Sequence, residues 1–345
     1  MSTHLAFLYN VRKKYPSLSD PSSQFEADLD DKETIDAIKW HLKKAGYLVY
    51  GIEGDEYAYE KLFSLRKRIH IAFNYTVGRY GKDRYSQIPA ILEMLQIPYT
   101  GSGPLTQALI LNKAKMKEVL MSHGIPTLPF QLCSHIHEKR NPKLQFPLIV
   151  KPVGQGSSAG ITQKSFVRTE KELRTQIAFV QKTFHEPALI EPFLFGREFS
   201  VGLLGNPPRA FPIIEPNHKL LPKGFLPFDS LEVKWQFEEE EEGQGKNYLA
   251  CPAKLSSSQK RKIEKICMEV FSALDMRDYC RIDLKCDEKG NAYVLDVNSP
   301  PGLMPPEIST TSYFPRAARV AKINYGKLLT SIIQTAQKRI ASEIR

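Results

Sequence analysis

The strongest constraint on the fold lies near the C-terminus. Residues 279–286 (YCRIDLKC) and 292–298 (AYVLDVN) alternate polar and apolar side chains on either side of a DEKGN turn. A period of two marks a strand with one buried and one open face, and glycine beside asparagine marks the turn. Pairing Cys286 with Asn291 sets Arg281 opposite Asp296 and Asp283 opposite Val294. That register gathers Arg281, Asp283, Asp296 and Asn298 on one face, with Ile282, Leu284, Leu295 and Val297 on the other. A slip of one residue would scatter the polar set. Diagonal neighbours in a sheet sit ~7–8 Å apart, a gap that two carboxylates and an amide can span around hard cations. Mg²⁺ prefers oxygen ligands and commonly bridges protein carboxylates to phosphates. The same face also reads as a plain surface ladder of Arg281 with Asp296.

A second feature complements the first. Residues 148–161 read LIVKPVGQGSSAGI, an apolar run, one lysine, then glycines and serines. Glycines let backbone N–H groups approach an anion, and Lys151 supplies a point charge, so the loop suits a polyphosphate. It is not a P-loop, because the lysine precedes the glycines, and it opens no helix as a dinucleotide fingerprint would. Residues 161–167 read as a returning strand, making a glycine-rich hairpin lid over phosphates the nearest analogue. A flexible surface hairpin is the plainer alternative. Lid and carboxylate hairpin together point to a nucleotide triphosphate, with Glu191 and Glu198 suited to its adenine and ribose ends.

The first hundred residues alternate buried strand patterns (5–9, 47–50, 69–73) with helical ones (31–45, 58–66, 85–95), which predicts an open parallel α/β sheet. One amphipathic helix is expected over 105–123, further helices over 170–183 and 256–273, and a long irregular segment over 206–251. We divide the chain into an N-terminal α/β domain (1–104), a central lid subdomain (105–192) and a C-terminal subdomain with the metal site (193–345). The acidic run 238–242 reads as a solvated loop.

With 345 residues and 42% hydrophobic content the chain can bury a large core. It has no apolar run long enough to span a membrane and no export signal, so the expected location is cytoplasmic. The five cysteines are odd in number and widely spaced, and read as reduced thiols. The charge of +10 is dispersed without a nucleic-acid motif and suits solvated helix faces or an anionic substrate. Neither nucleic acid nor membrane is expected as a partner.

From residue 97 onward the chain resembles the ATP-grasp fold, and within it the D-alanine–D-alanine ligase family. The resemblance is carried in order by IPYTGSG, IVKPxxxGSSxG, LIExxLxGxEF, CPAxL, RID and VNSPPG. It implies an ATP-dependent, ADP-forming carboxylate–amine ligase working through an acyl phosphate. Lys113 and Lys151 would contact ATP, and Gly156, Ser157 and Ser158 would close over the phosphates. Glu191 and Leu194 would hold adenine, and Glu198 the ribose. Lys234 would belong to the nucleotide site. Asp283, Asp296 and Asn298 would bind two Mg²⁺ ions, with Mn²⁺ as an alternative. Arg281, with Lys151 and Ser157, would stabilise the transferring phosphoryl group and the tetrahedral intermediate. Family members commonly dimerise, which allows a homodimer here.

Departures concentrate where small amino-acid-like substrates would sit. The family's HGxxGEDG is replaced by NYTVGRYGKD at 74–83. The family's ammonium-gripping glutamate loop gives way to residues 14–30, with Glu26, Asp28 and Asp30 as candidate substitutes. A lysine–tyrosine pair appears as Lys234 and Trp235, and Glu307 falls where the family uses a serine for the second substrate's carboxylate. The competing function class is a non-catalytic ATP-binding scaffold or sensor.

Overall fold

The computed structural model describes residues 2–238 and 248–343. Apart from Glu238, the acidic run lies outside the described residues. The N-terminal unit runs β1 (His4–Tyr9), α1 (Lys32–Lys44), β2 (Leu48–Glu53), α2 (Ala58–Leu65), β3 (Ile71–Asn74) and α3 (Gln87–Met94). Its three strands are parallel in the order β2-β1-β3, as the alternating pattern predicts. Leu5, Ala6, Phe7 and Leu8 of β1 are all fully buried, because helices cover both faces of the sheet. Asp31 caps α1 by accepting from the Thr34 amide.

The single helix expected over 105–123 is two, α4 (Pro104–Leu111) and α5 (Lys113–Ser122). Asn112 separates them in an extended conformation, and its side chain accepts from the Lys115 amide. Asparagine is among the best N-caps, so it ends one helix and starts the next. The restart buries Lys113 and Lys117, one turn apart on α5.

A central antiparallel sheet follows, built from β4 (Gln131–Cys133), β5 (Leu148–Pro152), β6 (Phe166–Val167) and β7 (Ala188–Pro192) in the order β4-β7-β5-β6. α6 (Glu170–Phe184) lies against it behind a Thr169/Glu172 capping box. The strand expected over 161–167 shrinks to two residues. Thr162 and Ser165 cap each other around a single 3₁₀ turn, which bends the chain before β6.

The third region contains β8 (Glu198–Gly205), β9 (Pro208–Ala210), the small pair β10 (Glu215–Pro216) and β11 (Leu249–Ala250), α7 (Ser257–Ala273), β12 (Tyr279–Cys286) and β13 (Ala292–Asn298). The main sheet has the order β13-β12-β8-β9. The hairpin register differs from the expected one: Cys286 pairs with Ala292, Leu284 with Val294, Asp283 with Asp296 and Arg281 with Asn298. The Asp287 carboxylate accepts from the amides of Lys289 and Asn291 and from the Asn291 side chain, which draws Asn291 into the turn. Carried along both strands unbroken, that start would put Asp296 opposite Ile282 on the apolar face. A β-bulge at Leu295 restores the polar face. Val294 therefore enters the core, and Leu295 turns to the cavity instead of filling the apolar face.

α8 (Tyr313–Val320) and α9 (Tyr325–Glu343) return the chain to the N-terminal sheet, where Leu328, Ile332 and Ile333 share one core with Leu5 and Phe7. Arg339 of α9 binds both Asp278 and the Tyr99 carbonyl, tying the C-terminus to the end of the α/β unit. All five cysteines are free thiols. Among the described residues, no helix is long and apolar enough to cross a membrane.

Candidate active site

Residues of the N-terminal unit, the central sheet and the main sheet of the third region together line a cavity of about 540 Å³, within the range of small-molecule sites. β5, β7 and α5 build one end. Glu191 of β7 is completely buried, with Lys117 Nζ at 2.5 Å and Lys151 Nζ at 2.6 Å from its two oxygens. Burial works to raise the Glu191 carboxyl, but the two ammonium groups outweigh it and hold it below the usual range. Burial in turn lowers Lys117 against the pull of Glu191. The Glu191 carboxylate is thus occupied by lysines rather than open to an adenine amine. Lys113 donates to the Gln155 carbonyl at 2.8 Å and lies 3.3 Å from Asp296. Leu128, Ile149, Phe193 and Leu194 supply an apolar wall beside these charges.

The glycine loop forms the roof. Ser157 and Ser158 both hold left-handed backbone conformations (φ 47° and 62°), uncommon without glycine. Contacts from both sides fix them: Trp235 Nε1 donates to the Ser157 carbonyl at 3.1 Å, and Ser158 Oγ to the Asp229 carbonyl at 2.8 Å. The N-terminal segment closes the other side. Gln24 accepts from the Gly160 amide, Arg84 donates to the Gly154 carbonyl, and Asp28 packs so tightly on Gly156 that an added Cβ would come within 2.3 Å of its oxygen.

The hairpin supplies the floor. Arg281 forks onto Asp283, with Nη2 at 2.8 Å and Nε at 2.9 Å from its oxygens, so the expected ladder of Arg281 with Asp296 is not the one formed. Asp283 also accepts from Ser200 Oγ and from Asn298 Nδ2, at 2.5 and 3.0 Å. Burial disfavours the Arg281 charge, but Asp283 more than offsets it and raises the guanidinium pKa. Arg281, Asp283, Asp296 and Asn298 share one face of the hairpin, as the alternating pattern predicts, and all four line the cavity. Lys285 continues this face and binds Glu198 at 2.8 Å. Burial, opposed by Lys285, pushes the Glu198 carboxyl up.

Lys117 and Lys285 were not singled out from sequence. A signal existed for both: Lys117 sits four residues after Lys113 on one helix face, and Lys285 extends the 281, 283 alternation.

At the opposite end the cavity meets Arg12, Asp30, Tyr75, Trp235 and the loop after β13. Arg12 lies about 5.0 Å from the Tyr15 ring and 5.1 Å from the Trp235 ring, and pairs with Asp31 at 3.4 Å. Tyr75 OH donates to Asp30 at 2.5 Å and accepts from the Leu303 amide at 2.9 Å. Glu307 is not among the residues lining the cavity. Its carboxylate turns outward to His41 Nε2 of α1 at 2.6 Å, while Ser309, Thr311 and Ser312 face inward.

Residues 119–334, more than half of the chain, match the family described as D-ala D-ala ligase C-terminus. A D-alanine–D-alanine ligase of Pelotomaculum thermopropionicum is 31% identical over 331 residues, covering 92% of this chain and 94% of the relative. An uncharacterized protein of Sinorhizobium fredii, y4sG, is 32% identical over 277 residues, covering 78% of this chain and 75% of its own length. The crystal structure of the D-alanine–D-alanine ligase of Bacillus anthracis complexed with ATP superposes with a TM-score of 0.73 at 24% identity, over 99% of this chain and all of that one. The fold is that of these ATP-grasp proteins, and the chain belongs to the D-alanine–D-alanine ligase family.

Proposed function

We propose that this ATP-dependent carboxylate–amine ligase joins a small amino-acid-like acid to a small amine in two steps. A carboxylate oxygen of the first substrate attacks the γ-phosphorus of ATP, forming an acyl phosphate and releasing ADP. The nitrogen of the second substrate then attacks the acyl carbon; phosphate leaves, the nitrogen loses a proton and a C–N bond remains. The observation that supports this most is the convergence, across one cavity, of a lysine-footed glycine roof and a floor of Arg281, Asp283, Asp296 and Asn298.

Phosphoryl transfer needs positioning and charge neutralisation more than covalent help. Lys113 and Lys151 would bind phosphate oxygens, and Arg281 would face the charge that develops on the transferring group and then on the tetrahedral carbon's oxygen. Ser157 and the loop from Gly156 to Ser158 would keep water from the acyl phosphate. The nucleoside would lie along Leu194, with Glu191 and Glu198 beyond and Lys234 nearby.

Asp283, Asp296 and Asn298 fit Mg²⁺ or Mn²⁺: all three offer hard oxygen donors on one face of the β12–β13 hairpin, and Mg²⁺ typically takes one or two carboxylates and leaves its other positions to phosphate and water. Metal bound there would neutralise phosphate charge. ATP use and small soluble substrates suit a cytoplasmic enzyme. The relatives' names make D-alanine the first substrate to try, although the substrate end carries residues of its own. Metal-dependent ADP release across a panel of D- and L-amino acids, hydroxy acids and amines, with mass spectrometry of the product, tests the reading. A new amide supports it, and ATP binding without any stimulated ADP release opposes it.

A further inference from the structure

The loop after β13 borders the end of the cavity proposed for the substrates, and one of its residues points the other way. Met304, Ile308 and Ser309 line the cavity, whereas Glu307, among them in sequence, sends its carboxylate out to His41 of α1 at 2.6 Å. Glu307 stands at the tip of a tight turn. The Pro305 carbonyl accepts from the amides of both Ile308 and Ser309, so the chain reverses around residues 306 and 307. A displacement of the tip is therefore passed directly to Ile308 and Ser309 on the cavity side.

The two sides of the turn are anchored from other elements. The Leu303 amide donates to Tyr75 OH, and the Leu303 carbonyl accepts from Tyr325 OH of α9. The Thr310 carbonyl accepts from Arg316 and Arg319 of α8, at 3.3 and 2.9 Å. Between these anchors the tip meets His41, which is itself held. Its ring packs edge-to-face on both Trp40 and Tyr325, with centroids 4.7 Å from each, and its side chain is only 16% exposed. A carboxylate can only accept, so Nε2 carries the proton and donates. Exposed ion pairs are usually worth little, in part because two long side chains must be ordered at once. Here the imidazole is ordered in advance, and a bond accepted by a carboxylate is of the stronger kind. Tyr325 completes the arrangement, since one phenol ring packs on His41 and its hydroxyl fixes Leu303.

Resting on the ligase reading, which seats the amine substrate against this loop, we propose that His41 is a positioning residue for that substrate. Through Glu307 it fixes the turn whose inner side, Ile308 and Ser309, shapes the pocket. His41 does not line the cavity and touches no reacting atom. It acts by holding the loop in the conformation that receives the amine, and a loop ordered before binding spares the substrate the cost of ordering it. The residue that stands where a serine was expected has thus become an outward anchor.

The test reads the loop and the kinetics separately, on the full-length protein. Hydrogen exchange of the peptide 303–312, followed by mass spectrometry without ligands, compares wild type with His41→Ala, His41→Gln, Glu307→Ala and Glu307→Gln. Both alanine variants should speed exchange of this peptide roughly 10-fold, the scale of one charged hydrogen bond, and leave β12 and β13 as protected as in wild type. Each glutamine variant keeps a donor or an acceptor and should restore most of the protection. In steady-state ADP release the alanine variants should raise KM for the amine about 10-fold with KM for ATP unchanged, and the double alanine variant should be little worse than the more affected single one. Unchanged loop exchange in His41→Ala, KM values for amine and ATP that rise together, or single effects that add in full would each overturn the proposal. Loop exchange that responds as expected in a protein releasing no ADP with any acid and amine would sink the ligase reading and support the hold of His41 on the loop.

Discussion

At the end of the cavity proposed for the nucleotide, the charges of β5, β7, α5 and the hairpin meet opposite ones within the protein; at the end proposed for the substrate, Asp30 leans on a phenol. Lys117 and Lys151 share Glu191, Lys285 takes Glu198, Arg281 takes Asp283, and Lys113 approaches Asp296. Such a set is organised before ligand arrives, which suits a reaction that depends on preplaced charge. Asp30 lines the cavity, and among the described residues the Tyr75 hydroxyl is the side-chain donor to its carboxylate. Catalytic machinery is best kept rigid and self-satisfied, whereas a buried acid leaning on a phenol ties stability to pH.

Breaking the paired end should cost most. Glu191→Ala leaves Lys117 and Lys151 buried without a counter-ion, and uncompensated buried charge costs about 3–5 kcal/mol, which denaturant unfolding would read as a lowered midpoint. Asp296→Ala removes a carboxylate from the floor that Lys113 and the metal would share. Its kcat for ADP release should fall roughly 10²–10³-fold, as for loss of one preplaced electrostatic group, and unchanged turnover would remove Asp296 from the metal set.

The unpaired end should respond in the opposite direction. Asp30 faces Arg12, Asp28, Asp31, Tyr75 and Tyr325, and burial dominates the rise of its carboxyl to about 6. Because the folded protein holds this proton more tightly than the unfolded chain, stability is lost as pH climbs from the ordinary carboxylate range through 6. Asparagine does not ionise. Ligand-free Asp30→Asn should therefore gain on wild type by about 2 kcal/mol between pH 4 and pH 7.5, on the scale of 1.36 kcal/mol per pKa unit, and parallel curves would refute the buried-anion picture. Trp235→Phe should have the smallest effect. It removes the indole bond to the Ser157 carbonyl, about 0.5–1.5 kcal/mol, while keeping an aromatic ring beside Arg12 and Tyr15, and is expected as a kcat/KM loss of roughly 10-fold or less.

The two ends also differ in how far they could be read from sequence. The floor was legible because strand alternation is local, and Arg281, Asp283, Asp296 and Asn298 do share a face. The bulge that makes this so was not, because it depends on how the Asp287 carboxylate gathers the turn. The substrate end joins residues 12, 30, 75 and 303, which no periodicity links. Glu307 was misplaced because matching a loop position to a family pattern gives no side-chain direction. Its partner His41 lies on a helix 266 residues earlier in the chain. The break at Asn112 was readable in principle as an N-cap, yet the apolar pattern ran through it and hid the restart that buries Lys117.

The central claim is that one cavity joins a carboxylate to an amine at the expense of ATP. Its most direct test is Mg²⁺-dependent ADP release from purified protein with paired acids and amines, read beside the mass of the product. The expected result is ADP formed in step with a new amide for at least one pair, with both lost in Asp296→Ala. Nucleotide binding that no acid or amine converts to ADP release, or ADP release with no amide formed, would contradict it.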